Sequence, residues 1–266
     1  MEFRFGTQGW SYADWTSDMY DAAARPDSYL RSYAQEFATV EIDSTFYGTP
    51  SAERVRRWAA SVPDGFSFSC KLPREITHER RMLDVAGLVK EFCDVVRGFG
   101  PKLACVLAQF DAAYSRAEEA TFLQALEAFP RDLRIAFEFR DAAWYEPELQ
   151  GALEERGFAL ALADAPFVPR AALAAALQRT CGDYAYVRFV GDRDAVTRFD
   201  RVCIAREADV AWWAQALRSA PASLRRVFGY VNNHYSGHSP ATVRALYGAL
   251  GVAHERPPRV LQTSLF

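Results

Sequence analysis

The chain of 266 residues carries 31 basic and 34 acidic side chains, for a formal net charge of −3, and half of it is apolar. That length and apolar content suit one substantial core, and one barrel better than two ordinary domains. No global basic field exists to hold nucleic acid or an anionic membrane, so any anion must be held by a local cluster.

Short β-rich runs alternate with helical patterns along the whole chain. The first strand is expected at Phe3–Gly6, followed by Thr7-Gln8-Gly9-Trp10 and a helix near Ser28–Phe37, where Tyr29, Leu30, Tyr33 and Phe37 share a stripe. Strand two is Thr39–Ile42, and Ser51 is a good N-cap for a helix reaching about Ala60. Strand three, Phe66–Cys70, precedes a long loop and a helix near Val85–Gly98. Strand four, Leu103–Ala108, leads to a helix near Ala117–Ala128, and strand five, Leu133–Phe137, to one near Pro147–Arg156. Strand six is Phe158–Leu162, with a helix at Arg170–Gln178. Strand seven is Tyr184–Phe189, with a helix at Glu207–Ser219. Strand eight is Arg226–Val231, and the last helix, Pro240–Leu250, opens with proline at a permitted first-turn position.

Strand–helix alternation calls for parallel strands with helical crossovers. The expected fold class is α/β, a single (β/α)8 TIM-type barrel over residues 1–254 with an extended tail over 255–266; an open doubly wound sheet is the alternative. Gly6 and Gly9 lack the rest of a dinucleotide fingerprint, no phosphate loop occurs, and no nicotinamide or flavin signature is found. The five cysteines are odd in number, widely spaced and without a C-x-x-C pair, which reads as buried reduced thiols and not as a disulfide or thiolate metal framework. Met1 to Gly6 is no secretory segment and no apolar run reaches ~18 residues, so a cytoplasmic protein outside the membrane is expected. Lys71, Lys90 and Lys102 are the only lysines, which singles out Lys71 at a strand end.

Five blocks carry a family resemblance. They are Gly6-Thr7-Gln8-Gly9-Trp10-Ser11-Tyr12 with Trp15, and Thr39-Val40-Glu41-Ile42-Asp43-Ser44-Thr45-Phe46-Tyr47. Lys71-Leu72-Pro73-Arg74 with Ile76-Thr77-His78, Phe137-Glu138-Phe139-Arg140 with Trp144, and Asn232-Asn233-His234-Tyr235 with Gly237-His238 complete the set. In this order they resemble the YecE-like family, known as domain of unknown function 72. Gln8 departs from the family's usual Ser and Asp43 from its frequent Asn, and the second change adds negative charge to the site. The resemblance implies a TIM-type barrel and no established reaction.

Residues just after each barrel strand converge on one face. Polar candidates there are Glu41, Asp43, Lys71, Arg74, Thr77, His78, Gln109, Glu138, Arg140, Asp164, Arg188, Asn232, Asn233 and His234, with Trp10, Tyr47 and Trp144 as aromatic surface. Lys71, Arg74, Arg140 and Arg188 can cradle an anion, since arginine matches phosphate oxygens bidentately and lysine supplies a point charge. Glu41, Glu138, Asp164 and His78 are the acid–base candidates. Structural ion pairing of Glu41, Glu138, Lys71 and Arg188 is the plain alternative. Zinc is not expected, because no H-E-x-x-H occurs, while a divalent ion on Glu41, Asp43, Glu138 or Asp164 stays open. Lys71 could also form a Schiff base. The leading expectation is an enzyme acting on a phosphate-bearing ligand, either an anionic small molecule such as a nucleotide or a nucleic-acid end. Glycoside hydrolysis by a carboxylate pair with tryptophan platforms is a second class, and a non-catalytic binding module a third. The tail residues Gln262, Leu265 and Phe266 resemble a bacterial sliding-clamp-binding motif, with Thr263 departing from the usual Leu. They are expected to dock by apolar anchors.

Overall fold

The computed structural model describes residues 1–16 and 18–253. The strands are β1 (Glu2–Gln8), β2 (Thr39–Ile42), β3 (Ser67–Lys71), β4 (Leu103–Gln109), β5 (Ile135–Glu138), β6 (Ala159–Leu160), β7 (Leu162–Asp164), β8 (Tyr184–Phe189) and β9 (Arg226–Val231). All pair in parallel, in the order β6-β5-β4-β3-β2-β1-β9-β8-β7. The two ends of that row, β6 and β7, are one run of chain parted at Ala161, so the row closes into a barrel with eight strand positions. The parting has a local cause. Ala161 N–H donates to Phe137 O at 2.9 Å, but its carbonyl accepts from the Tyr145 hydroxyl at 3.0 Å and not from a strand.

The helices that cover the barrel are α1 (Tyr29–Tyr33), α2 (Ala52–Ala60), α3 (Ala86–Val96), α4 (Glu119–Ala125), α5 (Pro147–Glu154), α6 (Arg170–Arg179), α7 (Glu207–Arg218), α8 (Asn233–Ser236) and α9 (Ser239–Leu250). Ser51 caps α2 as expected, its hydroxyl accepting from Arg54 N–H at 3.2 Å. The first helix ends four residues earlier than its apolar stripe suggested, and the short α8 was not foreseen. Asn232 creates α8 by capping it, its side chain accepting from His234 N–H at 2.8 Å. The long loop after β3 contains one wide turn, Glu75–Glu79, closed by Arg80 N–H on Glu75 O at 2.8 Å.

Two apolar bodies result. One lies between strands and helices and is rich in aromatic rings; Phe139 stacks on Trp144 at 4.3 Å and on Phe110 at 5.0 Å. The other fills the barrel, with Cys105, Leu107, Ala136, Ala161, Tyr186 and Tyr230 among its members. The interior hydroxyls are all engaged: Tyr230 meets Thr39 Oγ1 at 2.9 Å and Ser69 Oγ at 2.8 Å, and Tyr184 donates to Ile135 O at 2.8 Å. Glycine at position 6 is a requirement of this packing, because a Cβ there would lie 2.0 Å from Thr39 O.

Cys70, Cys93 and Cys105 are buried as expected, whereas Cys181 and Cys203 are exposed; all five are free thiols. Among the described residues no helix is long and apolar enough to cross a membrane. The tail over 255–266, with Gln262, Leu265 and Phe266, lies outside the described residues.

Candidate functional site

Side-chain alternation along the strands decides which residues reach the barrel mouth. Tyr184 and Tyr186 face inward, so Arg188 does too; Ala136 inward carries Glu138, and Leu107 carries Gln109. Register then levels them, with Gln8 beside Glu41, Gln109 beside Glu138, and Ala163 beside Arg188. The uppermost layer of the barrel is thus charged and polar, above layers of tyrosine, cysteine and alanine.

Arg188 organises that layer. Its Nη2 and Nε donate to Glu41 Oε1 and Oε2 at 2.7 and 3.0 Å, and its Nη1 donates to Glu138 Oε2 at 2.6 Å. Tyr186 adds a hydroxyl donor to Glu41 Oε2 at 2.7 Å. Both carboxylates are 0% exposed. Burial without pairing would be too costly for these groups, and a bidentate guanidinium is the pairing that best offsets it. Burial opposes the Arg188 charge, yet Glu138 and Glu41 hold it well above the ordinary guanidinium pKa. Burial pushes Glu41 up to about 7, against the pull of Arg188 and with a further push from Asp43.

Above this floor lies a cavity of about 530 Å³, a size suited to a small-molecule ligand. Lys71, Arg140, Arg188 and Arg193 line it, as do the carboxylates of Asp43 and Asp192. Gln8, Asn232 and His234 form its polar side, and Phe46, Tyr47 and Phe167 its aromatic side. Lys71, Arg140 and Arg193 have neither an ion pair nor a side-chain hydrogen bond among the described residues. Two of them sit on rings instead: Lys71 Nζ lies 4.0 Å from the Phe46 centroid, and Arg140 Cζ 5.5 Å from that of Phe167. Burial lowers the pKa of both groups. Arg140 Nε, Asp43 Oδ1 and Glu138 Oε1 are buried atoms with no hydrogen-bond partner among the described residues. Buried polar atoms are normally satisfied, so such a cluster beside a hollow marks where a ligand would bond.

The mouth is shaped by close contact between loops. Gly191 has φ +70°, and a Cβ there would lie 2.5 Å from His234 O, so the loops after β8 and β9 touch at that point. Asn232 Nδ2 donates to Gln8 Oε1 at 2.7 Å, and His234 Nδ1 lies 3.1 Å from Val196 O. Burial lowers the His78 pKa, and its Nδ1 lies 2.8 Å from Thr77 Oγ1. His78 lies edge-on to Phe46 at 4.9 Å, outside the cavity lining.

Of the residues expected from sequence, Tyr47, Lys71, Arg140, Arg188, Asn232 and His234 meet at the cavity, over Glu41 and Glu138. Others go elsewhere. Asp164 is level with outward-facing Phe189, and its Oδ2 accepts from Trp213 Nε1 at 2.7 Å and Tyr235 hydroxyl at 2.8 Å. It is a barrel-to-helix tie and not part of the mouth. Trp144 is 0% exposed, with Nε1 on Tyr114 O at 3.0 Å, and is core. Trp10 packs edge-on against Trp58 away from the cavity. Arg74 points outward to Glu79 at 3.1 Å. Asn233 is buried, its Oδ1 accepting from Ser239 N and Oγ at 3.1 and 2.8 Å. Gln109 is buried below the cavity and bonds Phe110 O. The divalent-ion set left open by the sequence does not come together, since Arg188 takes Glu41 and Glu138 and Asp164 faces away; among the described residues no group of three or more His, Cys, Asp or Glu could hold a metal. Asp192 and Arg193 were missed, because they lie in a loop whose path periodicity does not specify.

The sequence profile described as "Protein of unknown function DUF72" matches residues 4–264. The chain is 25% identical to UPF0759 protein YunF of Bacillus subtilis over 197 residues, 70% of this chain and 69% of that one. It is 28% identical to UPF0759 protein YecE of Escherichia coli over 133 residues, about half of each chain (48% and 49%). Among solved structures, a DUF72 family protein of Thermotoga maritima superposes with a TM-score of 0.78 at 24% identity, covering 94% of this chain and all of that one (100%). One from Enterococcus faecalis gives 0.74 at 21% identity, covering 97% and 99%. Those likenesses concern the fold. On the match over nearly its whole length, the chain belongs to the DUF72 family.

Proposed function

We propose that the strand-end cavity binds a phosphate-bearing ligand, a nucleotide or nucleic-acid end, and that the protein is an enzyme acting on it. One observation carries this reading: Lys71, Arg140 and Arg193 line a single hollow and lack carboxylate partners among the described residues. Cations left unpaired at such close quarters repel one another, and an oxyanion relieves that repulsion. Arg188 is different, since Glu41 and Glu138 already neutralise it. Asp43 on the wall, His78 beside Phe46 and Glu138 Oε1, which has no hydrogen-bond partner among the described residues, are the groups for proton transfer, because Glu41 spends both carboxylate oxygens on Arg188 and Tyr186. Tyr47, 80% exposed at the rim, offers a face for a base. Sugar hydrolysis fits less well, since two acids clamped to one guanidinium cannot flank a glycosidic bond and Trp10 and Trp144 do not line the cavity.

Isothermal titration with pyrophosphate and with nucleotides tests the reading. Lys71→Ala and Arg140→Ala are each expected to weaken binding roughly tenfold or more, the worth of a charged hydrogen bond. Arg80→Ala, which removes an exposed partner of Glu75, should leave affinity unchanged. No binding at millimolar ligand, or wild-type affinity in both cavity variants, refutes the proposal.

A further inference from the structure

We propose that Lys71 is an imine-forming nucleophile and that the ligand of the cavity carries an aldehyde or ketone beside its phosphate. The inference rests on the phosphate reading and narrows its substrate class. Its starting point is how this chain spends its lysines. Lys90 pairs with Asp94 at 2.5 Å on an exposed helix face. Lys102 Nζ donates to Ala59 O and Val62 O at 2.8 and 2.9 Å, closing the end of α2, and lies 3.5 Å from Asp64. Lys71 alone of the three has no ion pair and no side-chain hydrogen bond among the described residues, and it alone lines the cavity.

Charge by itself does not call for lysine there. Arginine supplies the cavity's other cations, and it grips phosphate oxygens with two parallel donors. What lysine adds is the capacity to lose its proton, which a guanidinium does not do in a protein. The surroundings favour that loss. Nζ lies over the Phe46 ring, which shields one side from water. Burial lowers its pKa and Arg188 adds repulsion, while Asp43, Glu138 and Glu41 oppose both. Whenever Lys71 gives up its proton, its amine is a nucleophile in a hollow lined by arginines, with phosphate anchors beside it.

The step balances without a co-reactant. The Lys71 lone pair attacks the carbonyl carbon, and the carbon–oxygen π pair moves to oxygen. Nitrogen gives up a proton and oxygen gains one, which yields a carbinolamine. The nitrogen lone pair then forms the C=N bond as the C–O bond breaks; the departing hydroxyl takes up a second proton and leaves as water, and the nitrogen releases its remaining proton to give the neutral imine. Asp43, on the same wall, is the group placed to carry protons between nitrogen and oxygen. Arg140 and Arg193 hold the phosphate meanwhile.

Pyridoxal 5′-phosphate, a phosphate-bearing aldehyde, serves as the probe. The full chain is incubated with it, reduced with borohydride and mapped by peptide mass. A reduced adduct at Lys71 and not at Lys90 or Lys102, lost in the presence of excess inorganic phosphate, supports the proposal. Lys71→Arg is expected to lose the adduct while still binding pyrophosphate in the calorimeter, which separates nucleophile from cation. Pyrophosphate binding without any Lys71 adduct overturns the imine and leaves the phosphate reading standing. An adduct formed equally with pyridoxal, with no pyrophosphate binding, keeps the amine and overturns the phosphate reading. Labelling of all three lysines alike overturns the inference.

Discussion

Arg188→Met is the substitution with the largest consequence the structure defines. It removes three charge-assisted hydrogen bonds, at 3.0, 2.7 and 2.6 Å, from two carboxylates that are 0% exposed. Methionine fills much of the volume, so the loss is electrostatic and not a cavity. Breaking a buried pair on one side costs about 3–5 kcal/mol, because the remaining charge has no partner. For a chain of this size that lowers the melting temperature by roughly 10 °C. The stranded carboxylates can escape by taking up protons, so the loss must depend on pH. Each extra proton bound by the folded variant makes the deficit shrink by about 1.4 kcal/mol per pH unit on acidification. Urea unfolding of parent and variant at pH 8 and pH 6 measures both quantities. A deficit below about 1 kcal/mol at pH 8, or one that is the same at pH 6, refutes the view that Arg188 offsets the burial of Glu41 and Glu138.

Glu41 gives the parent protein a pH dependence of its own. Its folded pKa is raised to about 7, so its contribution to stability is fully present below the unfolded value of 4.5 and lost as pH rises to about 7; chemical unfolding between pH 5 and 8 should show that decline, and a rise would contradict the sign. The same ionisation adds a negative charge under the cavity, so sulfate, whose charge is constant over this range, should bind roughly tenfold more weakly at pH 8 than at pH 6. Asp164→Asn should lower stability by about 1–3 kcal/mol, because Trp213 and Tyr235 lose a charged acceptor, with pyrophosphate affinity unchanged; lost affinity would return Asp164 to the site. Gly6→Ala puts a Cβ 2.0 Å from Thr39 O, and a loss of about 3 kcal/mol or more is expected in the urea midpoint.

The strands were the most legible part of this sequence. β2, β8 and β9 fall at the residues expected for them, since a strand covered on both faces reads as a short run dominated by β-branched and aromatic side chains, with Glu41, Arg188 and Arg226 as the charged exceptions. The parting at Ala161 was not legible, because it depends on a hydroxyl from Tyr145, outside the strand. The site was half legible for a related reason. Position after a strand locates the mouth, but only parity tells which side chains enter it. Arg140 follows inward Glu138 by two residues and enters; Asp164 is one residue past inward Ala163 and does not. Trp144 is a candidate aromatic surface by its place in the chain, yet the Phe110–Phe139 stack claims it for the core.

Hydrogen bonding separates two jobs that the sequence runs together. Glu41, Glu138 and Arg188 stand on inward strand positions, hydrogen-bonded to one another, and ligand contact is not needed to keep them in place. Lys71, Arg140 and Arg193 stand where strands give way to loops, without such partners among the described residues. The floor meets a ligand mainly through its net charge, which Glu41 sets near neutral pH, and through Glu138 Oε1, which has no hydrogen-bond partner among the described residues. The wall responds by bonding. Substitutions in the floor should therefore register first in folding and its pH dependence, and those in the wall first in affinity. A barrel mouth in which Arg188→Met spared stability and abolished binding, while Lys71→Ala did the reverse, would have its two layers assigned the wrong way round.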